Sequence, residues 1–356
     1  MITSFGLRHV WLVRQLQGGG SALDCPLCLL EDPATPLRQA LRGYFLKPTA
    51  GISTYVLQAT DQTPALRGFV QARARRPALP WPERKCGLAW DVSHIAPVLD
   101  DSEDTATVWY RLLLHLCIAA GEQRVQRLFA RLSEESAADD VFRQAGFAPY
   151  CRERIFERPS GTAGGKLSPS VLPVQGDDQW VLQKLWARIT PRLVFHAEEC
   201  NDLHGHARTF ETALSDVEQG YVLRSAKGET SGYVYLLQRP RGVWIRLMAQ
   251  PEARDGPAEM LDHALAVLGD SPRPLYCPVR DYEGGVQSAL EARGFRQLAD
   301  HSLLVKHTTV QVKESRRKLA HALEKRAEVA PTVSRSQEAL VRSLEQKPSV
   351  GKGDQR

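Results

Sequence analysis

The sequence predicts a mixed α/β fold, an α+β mixed sheet, built as two consecutive modules and followed by a basic tail. Three observations predict it. First, Arg124 to Arg158 reads as strand, short helix, Gly stop, strand. An apolar run (Val125, Leu128, Phe129, Leu132) precedes an acidic break. A helical stripe (Val141, Phe142, Ala145) then stops at Gly146-Phe147, and an alternating run follows from Tyr150 to Phe156. Second, the design returns as Leu275, Tyr276 and Val279, a break at Asp281 to Gly285, the stripe Val286, Ala289 and Leu290, a stop at Gly294-Phe295, and the run Leu298 to Val305. The two Gly-Phe pairs lie 148 residues apart (294 minus 146). Such internal copies govern the whole fold. Third, the stretch between, 159–177, is rich in Pro, Gly and Ser and has no sustained period, which marks a linker.

The elements follow in order. In the first module, 1–158, Val10 to Leu16 and Leu37 to Phe45 read as helices, with a Gly18-Gly19-Gly20 break between them. Ile52 to Gln58 reads as a strand. Leu66 to Ala74 and Cys86 to Ile95 read as an antiparallel hairpin with a long Pro-containing loop. A helix follows, with Val108, Leu112, Leu116 and Ala119 at helical spacing behind an acidic start and Gly121 as its stop. In the second module, 178–310, Trp180 to Arg188 and Val194 to Leu203 are predicted helices and Tyr221 to Arg224 a strand. Gly232 to Gln238 and Gly242 to Gln250 form a second hairpin. Pro257 to Gly269 is a helix with Leu261, Ala264, Leu265 and Leu268 on one face. Residues 311–356 carry too few apolar positions to bury much and are expected as a disordered or loosely helical tail.

Composition bounds the rest. A chain of 356 residues suits two domains, at roughly 100–200 residues each. No run approaches the ~20 apolar residues of a membrane helix, and the N-terminus carries no charged-then-apolar signal pattern. Seven cysteines, an odd and scattered set, argue against a disulfide framework, so a cytoplasmic setting is expected. Cys25-Pro26-Leu27-Cys28 lacks a second pair and reads as chance spacing. From Lys306 onward twelve Lys or Arg face six Asp or Glu, a balance of +6, so the remainder carries about −1 of the total +5. The basic character belongs to the tail, and no aromatic residues interleave its basic ones. That argues against a nucleic-acid surface on the folded part.

Hairpin, helix, strand, short helix ending in Gly-Phe, strand: this order, present in both halves, resembles the GCN5-related N-acetyltransferase (GNAT) family, here as a tandem of two acyl-CoA N-acyltransferase-like domains. The resemblance implies a twisted mixed sheet with helices on both faces. It also implies acetyl-CoA where two central strands part, and an amine, small-molecule or peptide, as acceptor. The cofactor's pyrophosphate would rest on the start of the helix after the hairpin, where free N–H groups and a positive dipole end favour an anion. Arg254, Gly256 and Ala258 match parts of the family's pyrophosphate loop, which is one residue short here, and Pro257 removes an N–H. The matching stretch of the first half, Val98 to Thr107, has four acids and no Gly.

Where the family often has a proton-donating Tyr, this chain has Phe142 and Leu290. Where it often has an Asn opening the short helix, it has Glu135 and Glu283. The remaining candidates for proton transfer are Glu252, Glu283, Asp91 and Tyr282, the carboxylates as acceptors of the amine's proton. The alternative is a catalytically inactive module of the same fold that binds a ligand or a protein. His196, Cys200 and His204 recur at i, i+4, i+8 with ligand types that suit zinc. No further spaced partner appears, so the expectation is an amphipathic helix without metal.

Overall fold

The computed structural model describes residues 1–23, 25–30, 35–46, 51–58, 67–75, 88–100, 102–161, 164–175, 178–198, 217–225 and 228–308. The first half contains β1 (Ile2–Ser4), α1 (Val10–Leu16), β2 (Ser21–Ala22), α2 (Cys25–Leu30), α3 (Pro36–Phe45), β3 (Ile52–Leu57), β4 (Gly68–Arg75), β5 (Leu88–Ala96), α4 (Glu103–Glu122), β6 (Val125–Ser133), α5 (Ala138–Gln144) and β7 (Ala148–Arg158). The second contains β8 (Val171–Pro173), α6 (Asp178–Ile189), α7 (Arg192–Glu198), β9 (Val217–Arg224), β10 (Thr230–Gln238), β11 (Val243–Ala249), α8 (Gly256–Leu268), β12 (Leu275–Arg280), α9 (Val286–Glu291) and β13 (Arg296–His307).

Local chemistry accounts for the punctuation. Pro36 opens α3 behind Thr35, whose hydroxyl accepts from the Arg38 N–H. Gly146 (φ 84°) and Gly294 (φ 80°) follow α5 and α9 in the left-handed region, where a side chain is strained. A Cβ on Gly294 would meet nothing within 4 Å, so Gly294→Ala tests the backbone alone. It is expected to cost about 1 kcal/mol in chemical denaturation. The predicted stop at Gly121 is passed: α4 runs to Glu122. Gly121 has nothing within 4 Å of its Cβ position, and a helix supported by tertiary packing tolerates an isolated Gly.

The mixed α/β class is as expected, but the sheet is not divided. The two-module reading implies two sheets. The structure has one of thirteen strands, in the order β1-β3-β4-β5-β6-β13-β7-β12-β11-β10-β9-β8, with β2 added beside β5. Each half repeats one pattern: β4–β5 antiparallel then β5–β6 parallel, and β10–β11 antiparallel then β11–β12 parallel. The closing strands are exchanged. β7, from the first half, pairs β12, while β13, from the second, pairs β6, and the two pair each other antiparallel. The starts of β7 and β13 are again 148 apart (296 minus 148). Glu153 and His301 are also 148 apart and are direct partners, so a local two-fold relating the repeats passes through that pair. Alternation in sequence identifies a strand and its faces but not its neighbour, which is why the exchange was not legible.

Helices cover both faces. Val108, Leu112 and Leu116 of α4, with Val141 and Phe142 of α5, bury one face of the first half. Met260, Leu261 and Leu265 of α8, with Val286 and Leu290 of α9, do so in the second. The opposite face is covered by Val13 and Ala40 of α1 and α3, by Leu182 and Leu185 of α6, and by Val194 and Ala197 of α7. The linker is not free along its described part. β8 extends the sheet beside β9, and a Cβ on Gly165 would lie 2.3 Å from the Asp262 carbonyl oxygen of α8. The predicted tail lies outside the described residues.

Candidate functional site

β11 and β12 are paired only at Val243–Leu275 and Trp244–Tyr276. Beyond those pairs the parallel strands part, and β11 leads directly into α8. The intervening loop folds tightly, with the Ala253 N–H donating to the Gln250 carbonyl (3.0 Å) and the Gly256 N–H to the Ala253 carbonyl (2.9 Å). Asp255 caps α8 in position but its side chain makes no capping hydrogen bond. In the first turn the Gly256 N–H is thus engaged and Pro257 has none, so the Ala258 N–H, which no side chain caps, is the donor left toward an anion. Of the residues expected to hold the cofactor, Arg254 is exposed on this loop. Gly256 is buried where a Cβ would come within 3.1 Å of both Ala253 and Leu223. Ala258 borders a cavity of about 320 Å³ shared with Lys166, Ser168, Asp255, Glu259 and Asp262.

The corresponding place in the first half is closed. β5 and β6 also part, after Asp91–Phe129. There the Ser102 hydroxyl accepts from the Thr105 N–H, and the Asp100 carboxylate accepts from the Ser102 N–H (3.0 Å). The Ser102 hydroxyl, then the Thr105 hydroxyl and the Ser102 N–H, all donate to the Asp100 carboxylate and hold it below its ordinary range. Trp109 and Phe142 meet edge to face, 6.2 Å between centroids, in one buried cluster with Val92, Ile95 and Leu132. A capped helix start beside Glu103 and Asp104 offers an anion nothing.

The proton-transfer candidates separate on burial and partners. Glu252 is exposed, and its side chain accepts from Arg188 at 3.1 Å. The Glu283 side chain is 5% exposed and held by Arg246, whose Nη1 also donates to the Pro278 carbonyl (3.0 Å), while the Arg280 N–H donates to Glu283 Oε2 (2.9 Å). It is the acceptor of a salt bridge and not a free base. Asp91 accepts from Arg75 Nη2 at 2.5 Å. Tyr282 accepts from Arg280 Nη1 at 3.0 Å, and burial pushes its phenol up to about 12. It therefore keeps a proton at neutral pH. His196 is exposed on α7, and Cys200 and His204 lie outside the described residues.

Sequence reasoning missed a buried charged assembly among the described residues. Arg280 Nη1 and Nη2 donate to Glu198 at 2.9 and 2.8 Å, and the Tyr150 hydroxyl donates to Glu198 at 2.8 Å. Arg131 Nη2 stands 2.8 Å from Glu153, which is 1% exposed. Five elements meet here: β6, β7, β12 and α7, with Arg75 of β4 stacked 3.8 Å above the Phe129 ring. One signal was available. Glu153 falls in register with Cys151 and Ile155, on the apolar side of its strand, whereas Arg152 and Arg154 fall on the other.

No family model and no curated protein matches this chain. Among solved structures it is similar to the tandem GNAT protein from the clavulanic acid biosynthesis pathway, at 11% identity over 87% of this chain and 98% of that one, TM-score 0.47. It is also similar to a GCN5-related N-acetyltransferase from Sphaerobacter thermophilus, at 12% identity over 86% and 95%, TM-score 0.45. A third likeness is to a GCN5-related N-acetyltransferase from Anabaena variabilis ATCC 29413, at 12% identity over 87% and 73%, TM-score 0.41. No helix among the described residues is long and apolar enough to cross a membrane.

Proposed function

We propose that this chain is an N-acetyltransferase that carries an acetyl group from acetyl-CoA to an amine, small-molecule or peptide, in the cytoplasm. The duplicated units are 1–158 and 178–310, and the second holds the cofactor. The observation that carries the reading is the parting of β11 from β12 directly before an α8 start that no side chain caps. A thioester chain would lie between the strands with its phosphates at Arg254, Gly256 and Ala258. The amine nitrogen, once deprotonated, attacks the thioester carbonyl. The C–S bond breaks, the leaving thiolate takes a proton from Tyr282, whose phenol is raised to about 12, and the proton lost by the new amide nitrogen returns to the tyrosinate through solvent.

Calorimetry tests this. Micromolar acetyl-CoA binding that is lost in Arg254→Glu supports the reading, because the substitution reverses the charge at the loop. Tyr282→Phe is expected to lower kcat by about 100-fold with cofactor affinity unchanged, since proton transfer contributes at that scale.

A second reading, a non-catalytic module that binds a ligand or a protein, is favoured by one feature. Arg246 reaches from β11 to the Pro278 carbonyl of β12 and is pinned by Glu283, so it spans the gap the cofactor would use. No heat at millimolar acetyl-CoA, and binding that appears only in Arg246→Ala, would establish that reading instead.

A further inference from the structure

The first half carries a buried arginine whose guanidinium has no hydrogen-bond partner among the described residues. Arg73 on β4 is 5% exposed, and among the described residues none of its three guanidinium nitrogens has a hydrogen-bond partner. An arginine side chain is charged at any ordinary pH. A sealed guanidinium without an acceptor is among the costliest arrangements a fold can hold. Its strand neighbours do not supply the acceptor. On β3 its partner is Ile52, and on β5 it is Asp91. Asp91 is the carboxylate at the right register, but Arg75, two residues along the same face of β4, takes it. Arg75 Nε lies 3.2 and 3.1 Å from the two oxygens and Nη2 lies 2.5 Å from Oδ1. Arg75 has Asp91 and also the charge of Glu198; Arg73 has neither as a hydrogen-bond partner. On that face Gln71 spends its amide on the Pro36 carbonyl (2.7 Å) and Thr54 (3.1 Å). His94, stacked on Phe69 at 5.5 Å, is no counter-charge in either protonation state.

We propose that Arg73 is the anchor of a site for a small oxyanion, a carboxylate or a phosphoryl group, on the face of the first half that α1 and α3 cover. The planar guanidinium fork matches both groups through paired, charge-assisted hydrogen bonds. Arg75 is held on Asp91 beside it, so that carboxylate is already engaged. The site is separate from the acetyl-CoA reading, which concerns β11, β12 and α8, and it stands or falls independently.

The test is thermal unfolding of the full chain at constant ionic strength, with chloride exchanged for phosphate in one series and for acetate in another. The wild type is expected to show a saturable rise in Tm in at least one series. Response to phosphate alone assigns a phosphoryl ligand, and response to acetate alone a carboxylate. Arg73→Met, similar in volume and uncharged, is expected to unfold at a higher Tm in chloride and to lose the rise. Arg73→Lys keeps the charge without the fork, and its apparent affinity is expected to fall by about tenfold. A third series with CoA compares Arg73→Met with Arg254→Glu. A rise lost only in Arg73→Met makes a CoA phosphate the occupant. A wild type with no saturable rise in any series, or an Arg73→Met protein that responds as the wild type does, overturns the proposal.

Discussion

Residues 1–158 expressed alone are expected to give no folded monomer. Among the described residues β7 pairs only with β12 and β13, both from the second half, and β6 loses β13 from its open side. The lost strand contributes Leu303, Leu304 and Val305, which are 2%, 0% and 6% exposed in the intact chain. At about 1.5–3 kcal/mol per buried aliphatic side chain, these three approach the ~5–15 kcal/mol that is the whole stability of a typical domain. The fragment has one remedy: β7 of a second copy can occupy the place of β13, because the two strands are repeats. Light scattering with circular dichroism reads the outcome as aggregate, dimer or monomer. A monomer that unfolds cooperatively would mean that the strand exchange is not needed for folding. Mixing 1–158 with the remainder of the chain is expected to restore a folded complex.

Arg280→Met is expected to destabilise the intact chain by about 3–5 kcal/mol, the usual cost of leaving a buried charge without its partner. Arg280 is 4% exposed and Glu198 11%, so removing the guanidinium takes away the main partner of a largely buried carboxylate. Arg280→Met combined with Glu198→Leu should recover much of the loss, since an apolar pair can replace a buried ion pair. Equal losses in the single and double variants would show that the pair is not energetically coupled. The same contact predicts a pH dependence. Burial pushes the Glu198 carboxyl up, but Arg280 outweighs it and the net shift is downward. A carboxyl whose folded pKa is depressed stabilises the fold above its unfolded pKa, and that contribution fades as pH falls through the folded value. Denaturation midpoints should therefore drop on acidification below the ordinary carboxylate range. The slope should flatten in Glu198→Gln, and an unchanged slope would remove Glu198 from the account.

Local pattern carried most of the fold. Val10 to Leu16, Leu37 to Phe45 and the two hairpins stand at or within a few residues of their predicted places, because hydrophobic period and Gly or Pro breaks act over a few residues. The short strands β1, β2 and β8 were not legible, since two or three residues carry no period. The helix α2, which contains Cys28, was hidden by reading the cysteine spacing alone.

The candidate site divided in the same way. Gly256 and Glu283 are legible through the resemblance, the one as a position of the pyrophosphate loop and the other as the residue opening the short helix. That Glu283 is locked by Arg246, 37 residues earlier, is not. Arg73 could be read as a strand residue but not as a buried one, since the register that seals it comes from β3 and β5.

By itself the sequence determined the duplication, the alternation of strands and helices, the glycine stops 148 residues apart and the charge imbalance toward the tail. Each of these depends on neighbours within one or two turns of chain, where spacing translates directly into geometry. Only the tertiary structure decided that the last strands trade places to make one sheet, and that Arg280 closes on Glu198, 82 residues away. Those outcomes turn on which of two equivalent apolar edges a strand meets and which charges share one buried face. A repeated sequence leaves that choice to the packing of the whole chain.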